Sequence, residues 1–126
     1  MKKNKKIISL VLAVFMLVAI LTVSVSAGND SVSFTNGSGS LTATSTYASA
    51  STNNALGYYY TYAKATLDYT NGDWDINWND GLGSASAYVS RYPGFTVSFG
   101  SGTHSVRNSQ NANGGSSWVG YTRANP

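Results

Sequence analysis

From Gly28 onward, apolar and small residues alternate with polar ones at a period of two, and clusters of turn formers interrupt the alternation. That period sends successive side chains to opposite faces of a strand, so it predicts β structure. The predicted strands are Ser31–Thr35, Ser40–Ser51, Tyr58–Thr70, Trp74–Trp78, Ser84–Tyr92, Phe95–Phe99, Thr103–Ser109 and Ser117–Ala124. Asn-Gly at Asn36, Asn71 and Asn113 favours tight hairpins with type I′ turns, because both residues accept positive φ. No stretch combines helix caps with a 3.6-residue period. The expected fold is all-β: a single small antiparallel β-sandwich of about eight short strands with hairpin connections.

The strand faces suggest where function lies. In the tyrosine-rich strand, Thr61, Ala63, Ala65, Leu67 and Tyr69 share a face with Tyr59, and this is the expected core face. Tyr58, Tyr60, Tyr62 and Lys64 fall on the other. Exposed aromatic rows suit a flat sugar-binding platform, a protein interface or contact with a cell envelope; the alternative is a central strand buried on both sides. The next strand puts Trp74, Ile76 and Trp78 opposite Asn71, Asp73, Asp75, Asn77 and Asn79. One reading makes the Trp face core and the Asp/Asn face wet. Another is glycan recognition, in which Asp73 and Asp75 bond hydroxyls while Trp74 and Trp78 stack on sugar rings. A third is calcium held by Asp73, Asp75 and Asn77, since hard oxygen ligands suit that ion. The EF-hand spacing is not met: counting from Asp73, the sixth residue is Trp78 instead of Gly and the twelfth is Ser84 instead of an acid. No cofactor is expected. Phe95, Val97 and Phe99 are expected to share a face.

Composition then divides the chain. Residues 1–27 hold Lys2, Lys3, Lys5 and Lys6, a nearly unbroken apolar run from Ile7 to Val25, and the small-residue site Val25-Ser26-Ala27. These are the three parts of a secretory signal, with cleavage expected between Ala27 and Gly28. An uncleaved anchor is the competing reading, because the run approaches the length of a membrane span. The lysine-rich start and long apolar run resemble the signal of a Gram-positive bacterium. The working domain is then 28–126, secreted and extracellular, with no transmembrane segment. It holds Lys64, Arg91, Arg107 and Arg123 against five aspartates, so the chain's formal +3 becomes −1 without the leader lysines. That charge is too low to neutralise a row of phosphates, and no nucleic-acid partner is expected. There is no cysteine, which removes disulfides and thiol nucleophiles. Aromatic side chains are the compensating source of burial in so small a domain.

Catalytic chemistry has little to work with. His104 is the only histidine, and Ser105 beside it points to the opposite strand face. Gly-x-Ser-x-Gly does not occur. Asp73 and Asp75 lie on one face of one strand and do not straddle a glycosidic bond. His104 is expected as a polar strand or rim residue, and the protein as a non-enzyme.

Gly100-Ser101, Thr103-His104-Ser105, the Asn111–Gly115 turn, Trp118 and Arg123-Ala124 resemble the lactococcin-972-like secreted bacteriocins. The resemblance implies a small cysteine-free β-sandwich that kills by interfering with cell-wall precursor, without enzymatic chemistry. It makes His104, Ser105 and Trp118 candidate ligand contacts. The leading expectation is a non-catalytic extracellular protein that binds a cell-surface or glycan polymer through Tyr58, Tyr60, Tyr62, Trp74 and Trp78 with Asp73 and Asp75. A secreted antimicrobial protein acting on the cell envelope is the second. A surface or matrix component that self-associates through sheet edges is the third.

Overall fold

The structure is a computed structural model that describes residues 26–126. The charged and apolar parts of the expected leader, within 1–25, lie outside the described residues. Eight strands follow: β1 Ala27–Phe34, β2 Gly37–Thr44, β3 Tyr47–Asn54, β4 Tyr60–Tyr69, β5 Trp74–Leu82, β6 Ser84–Ser90, β7 Val97–Arg107 and β8 Ser117–Ala124. They form two four-stranded antiparallel sheets, ordered β1-β2-β3-β6 and β5-β4-β7-β8. No helix occurs among the described residues, and none of them forms a helix long and apolar enough to cross a membrane. The expected all-β class and antiparallel pairing hold.

The strand count agrees, but two boundaries moved. Ser40–Ser51 is not one strand: the chain reverses at Ser45-Thr46, and Ala43 pairs with Ala48. The turn has no Gly, Pro or Asn. Thr44 Oγ1 replaces them by accepting from the backbone N–H groups of Thr46 and Tyr47, each at 3.1 Å. A threonine hydroxyl can close a turn this way, but in a Ser/Thr-rich segment it leaves no compositional mark. Conversely, the two short strands expected over Phe95–Phe99 and Thr103–Ser109 belong to one strand, β7, whose glycines are packing residues and not breaks. A Cβ at Gly100 would stand 2.6 Å from Ala43 Cβ on the facing sheet, and one at Gly102 would stand 2.4 Å from Thr122 Oγ1.

The turns also differ from expectation. A type I′ turn needs positive φ at both central residues. In the Thr35-Asn36 turn between β1 and β2 only Asn36 has it, at 62°. Asn71-Gly72 does turn the chain between β4 and β5, with Gly72 at 90° and its N–H donating to Tyr69 O at 3.0 Å. Asn113 lies in the long β7–β8 connection and not in a tight hairpin.

The core is built from small side chains. Ala43, Ala48, Ala50, Ala63, Ala65, Ala85 and Ala87 are buried around Leu41, Leu67 and Val89. The expected core face of β4 is correct from Thr61 to Tyr69, all alternate positions being buried. A bulge at Asp68/Tyr69 reverses the alternation of β7: Tyr69 pairs with Val97, Asp68 with Phe99, and Ser98 is the extra residue. Val97 is therefore buried while Phe99 turns outward beneath the Arg123 guanidinium, 3.7 Å from its ring centre, so the two do not share a face.

The sheet edges meet. Asp30 Oδ2 on β1 accepts from the Arg123 N–H of β8 at 2.9 Å, and Asn77 Nδ2 on β5 donates to the Tyr88 carbonyl of β6 at 2.8 Å. Side chains thus occupy edge groups that would otherwise be open to another strand.

The close approach of Thr122 and His104 to Gly102 gives a test. Gly102→Ala is expected to cost about 1–3 kcal/mol in urea unfolding through overpacking. Ser101→Ala, half-buried on the outward side of the same strand, should stay within about 0.5 kcal/mol of the parent.

Candidate functional site

The register assembles a continuous outward face on the β5-β4-β7-β8 sheet. One row runs Trp78, Lys64, Thr103, Tyr121 across its four strands. The row above is Asp80, Tyr62, Ser105, Val119, and the next is Leu82, Tyr60, Arg107, Ser117. Below run Ile76, Thr66, Ser101 and Arg123, then Trp74, Asp68 and Phe99. Trp74, Trp78 and Tyr121 are 60%, 58% and 71% exposed. Tyr62 stacks on Trp78 with ring centres 6.1 Å apart and planes at 26°. The Tyr60 hydroxyl donates to Asp80 Oδ2, and this bond, ahead of burial, pushes its pKa up to about 12. Partial burial raises the Asp68 carboxyl, against a lowering by Arg123.

The outward face of the other sheet is different. Its rows read Asn29, Thr42, Ser49, Tyr88; Ser31, Ser40, Ser51, Ser86; and Ser33, Ser38, Asn53, Ser84. Hydroxyls bond along it, as between Ser51 and Ser86 at 3.0 Å.

β5 carries the main correction. Its two faces separate as expected, but the Trp face is not core. Trp74, Ile76 and Trp78 are exposed. The Asp/Asn face points instead to the seam with β6, where Asn77 holds the Tyr88 carbonyl. Asp75 accepts the buried Tyr69 hydroxyl, which also accepts the Tyr92 N–H at 2.9 Å. The reason is position: β5 is an edge strand, and its inner side meets backbone groups that need polar partners. Asp73 is bonded by Asn71 Nδ2 at 2.8 Å within the turn. The calcium candidates Asp73, Asp75 and Asn77 thus have separate local partners, and no cluster of three His, Cys, Asp or Glu forms among the described residues.

Other expected contacts scatter. Tyr60 and Tyr62 are on the aromatic face, but Tyr58 precedes β4 and packs edge-on against Tyr59 at 4.9 Å. Ser105 is on the same face as Tyr62. Trp118 pairs with Val106 on the inward side and is half-buried. His104 is not a rim residue: it is fully buried. Its Nδ1 lies 2.9 Å from Thr52 Oγ1 of the facing sheet and its Nε2 2.8 Å from Thr122 Oγ1. No ligand can touch it in this packing.

Sequence reasoning missed Tyr121, Leu82 and the cleft at the end of β5. That cleft, about 470 Å³, is lined by Tyr69, Asp73, Trp74, Asp75, Tyr92 and Phe95. Tyr121 had a signal in the alternation of Val119, Tyr121 and Arg123 against Gly120, Thr122 and Ala124, but no strand neighbour was known for it. No family model, curated protein or solved structure matches the chain.

Burial lowers the His104 pKa, opposed by the Ser51 backbone and the Asp30 charge. The unfolded chain binds this proton more readily than the native state does. Stability is therefore full above the ordinary histidine value of about 6.5 and falls as pH drops below it toward the native-state value. Urea midpoints measured from pH 8 to pH 5 should fall below about pH 6.5. His104→Gln should flatten that dependence and lower the midpoint at pH 8.

Proposed function

We propose that the protein is a secreted, non-catalytic β-sandwich that binds a cell-surface or glycan polymer on the outward face of the β5-β4-β7-β8 sheet. The observation that carries this reading is the contrast between the two outward faces. The outward rows of the β1-β2-β3-β6 sheet are mostly Ser, Thr and Asn. The other face exposes Trp74, Trp78 and Tyr121, with Ile76, Leu82 and Val119 beside them. Exposed apolar area of that extent is a burden on a monomer unless something covers it. Trp78 and Tyr121 end one row, so they stand roughly three strand spacings, about 14 Å, apart. Between them lie Lys64 and Thr103, and Tyr62, Ser105, Asp80 and Arg107 in the rows above. Rings for stacking and polar groups for hydroxyls therefore share one sheet face, which suits an extended sugar polymer.

The non-catalytic part of the reading is supported by His104, whose ring nitrogens are both engaged in the interior. Secretion is supported by the sequence pattern of the leader. Self-association through sheet edges gains less support, because Asp30 and Asn77 already bind edge backbone groups.

The test is cosedimentation with insoluble cell-wall peptidoglycan, chitin and cellulose. Retention on at least one of these is expected. The Trp78→Ala, Tyr121→Ala double variant should weaken it by about tenfold or more, at roughly 1 kcal/mol per stacking ring, with unchanged thermal stability. Equal retention by the double variant would sink the platform.

A further inference from the structure

The cleft at the end of β5 has a chemistry of its own. Its lining joins four aromatic side chains, Tyr69, Trp74, Tyr92 and Phe95, to two carboxylates, Asp73 and Asp75, and contributes no cation. The aromatic wall is braced from within. The Phe95 ring lies edge-on to buried Tyr69 at 5.0 Å and tilted to Tyr92 at 5.3 Å. Tyr69 is anchored by its hydroxyl to Asp75 and by the Tyr92 N–H. Trp74 and Tyr92 remain 60% exposed, so their rings are free to receive a ligand. The partners of the two carboxylates are neutral: Asn71 Nδ2 for Asp73 and the Tyr69 hydroxyl for Asp75. Their charge is therefore not cancelled by a direct contact. Arg91 is close enough to act on the Tyr69 hydroxyl, yet it is not part of the lining.

We propose that this cleft binds an organic ammonium group, held over the Trp74 and Tyr92 rings and neutralised by Asp73 and Asp75. Ring faces carry negative electrostatic potential and attract an ammonium cation, and adjacent carboxylates add Coulomb attraction. A neutral sugar would stack here but would leave the carboxylate charge unmatched. An anion would meet repulsion. The site is separate from the polymer platform, does not depend on it, and shares with it only Trp74. The ammonium can come from a quaternary amine such as choline or from the free amine of an amino sugar.

The experiment follows the indole N–H signals of the protein by NMR, the Trp74 signal being the one that Trp74→Phe removes. The probes are choline with its neutral isostere 3,3-dimethylbutanol, and glucosamine with N-acetylglucosamine. Saturable movement of the Trp74 signal by choline or glucosamine, and not by the neutral member of the pair, is expected; the cation that works names the source. Asp73→Asn and Tyr92→Ala should each weaken binding by about fivefold, the worth of one charge or ring contact. High salt should weaken it in the unaltered protein, which keeps the test decisive if Asp73→Asn disturbs its turn. Trp78→Ala, outside the cleft, should leave choline or glucosamine binding intact even where polymer retention is lost. A Trp74 signal unmoved by both cations, moved equally by their neutral counterparts, or insensitive to salt would overturn the proposal.

Discussion

Everything in this domain depends on how closely its two sheets approach, and His104 sits where they do. Its imidazole joins Thr52 of one sheet to Thr122 of the other. Space for the ring exists only because Gly39 and Gly102 carry no Cβ; one placed at Gly39 would lie 2.1 Å from His104 Cγ. A neutral imidazole donates from one nitrogen and accepts at the other, and a hydroxyl can do either, so both contacts are satisfied without burying a charge. Alanine elsewhere in the core keeps the sheets at that separation. A core of this kind gains little area per side chain, so close packing must supply what bulk does not.

That close interior has a consequence outside. Few of the large aromatic side chains fit between the sheets. Tyr69 is buried and Phe95 packs against the core, whereas Trp74, Trp78, Tyr88, Tyr92 and Tyr121 are exposed. They are not scattered evenly. The β1-β2-β3-β6 sheet presents mostly Ser and Thr outward, with Tyr88 stacked on Tyr47 at 5.2 Å. Trp74, Trp78 and Tyr121 lie on the other sheet, and Tyr92 follows β6 in the connection to β7. The two outward faces therefore differ in chemistry, one mostly hydroxyl and the other rich in exposed rings.

The edges explain the placement of polar residues that sequence patterning reads as wet. Asp75 and Asn77 lie on the inward side of β5, where a hydrophobic pattern would put core residues. They meet the Tyr69 hydroxyl and the backbone of β6, and those groups need polar partners more than apolar cover. Asp30 does the same at the opposite seam.

Alternation and turn residues alone establish the class of fold, the antiparallel habit, the inward face of β4 from Thr61 to Tyr69, and the separation of Trp74, Ile76 and Trp78 from Asp75 and Asn77 along β5. These are local properties, carried by alternation and turn chemistry within a few residues. The sequence by itself did not determine the turn closed by the Thr44 hydroxyl, because nothing in a run of Ser, Thr and Ala distinguishes it. Nor did the sequence reveal Gly100 and Gly102 as strand residues, since glycine reads as a break until its surroundings are seen to exclude a Cβ: Ala43 of the facing sheet at Gly100, and Thr122 and His104 of the same sheet at Gly102. Which side of β5 faces out, the interior position of His104, and the placing of Tyr121 in the same row as Trp78 depend on long-range packing. Alternation is symmetric between the two faces of a strand; strand order and neighbouring sheet break that symmetry, and both are long-range properties of the chain.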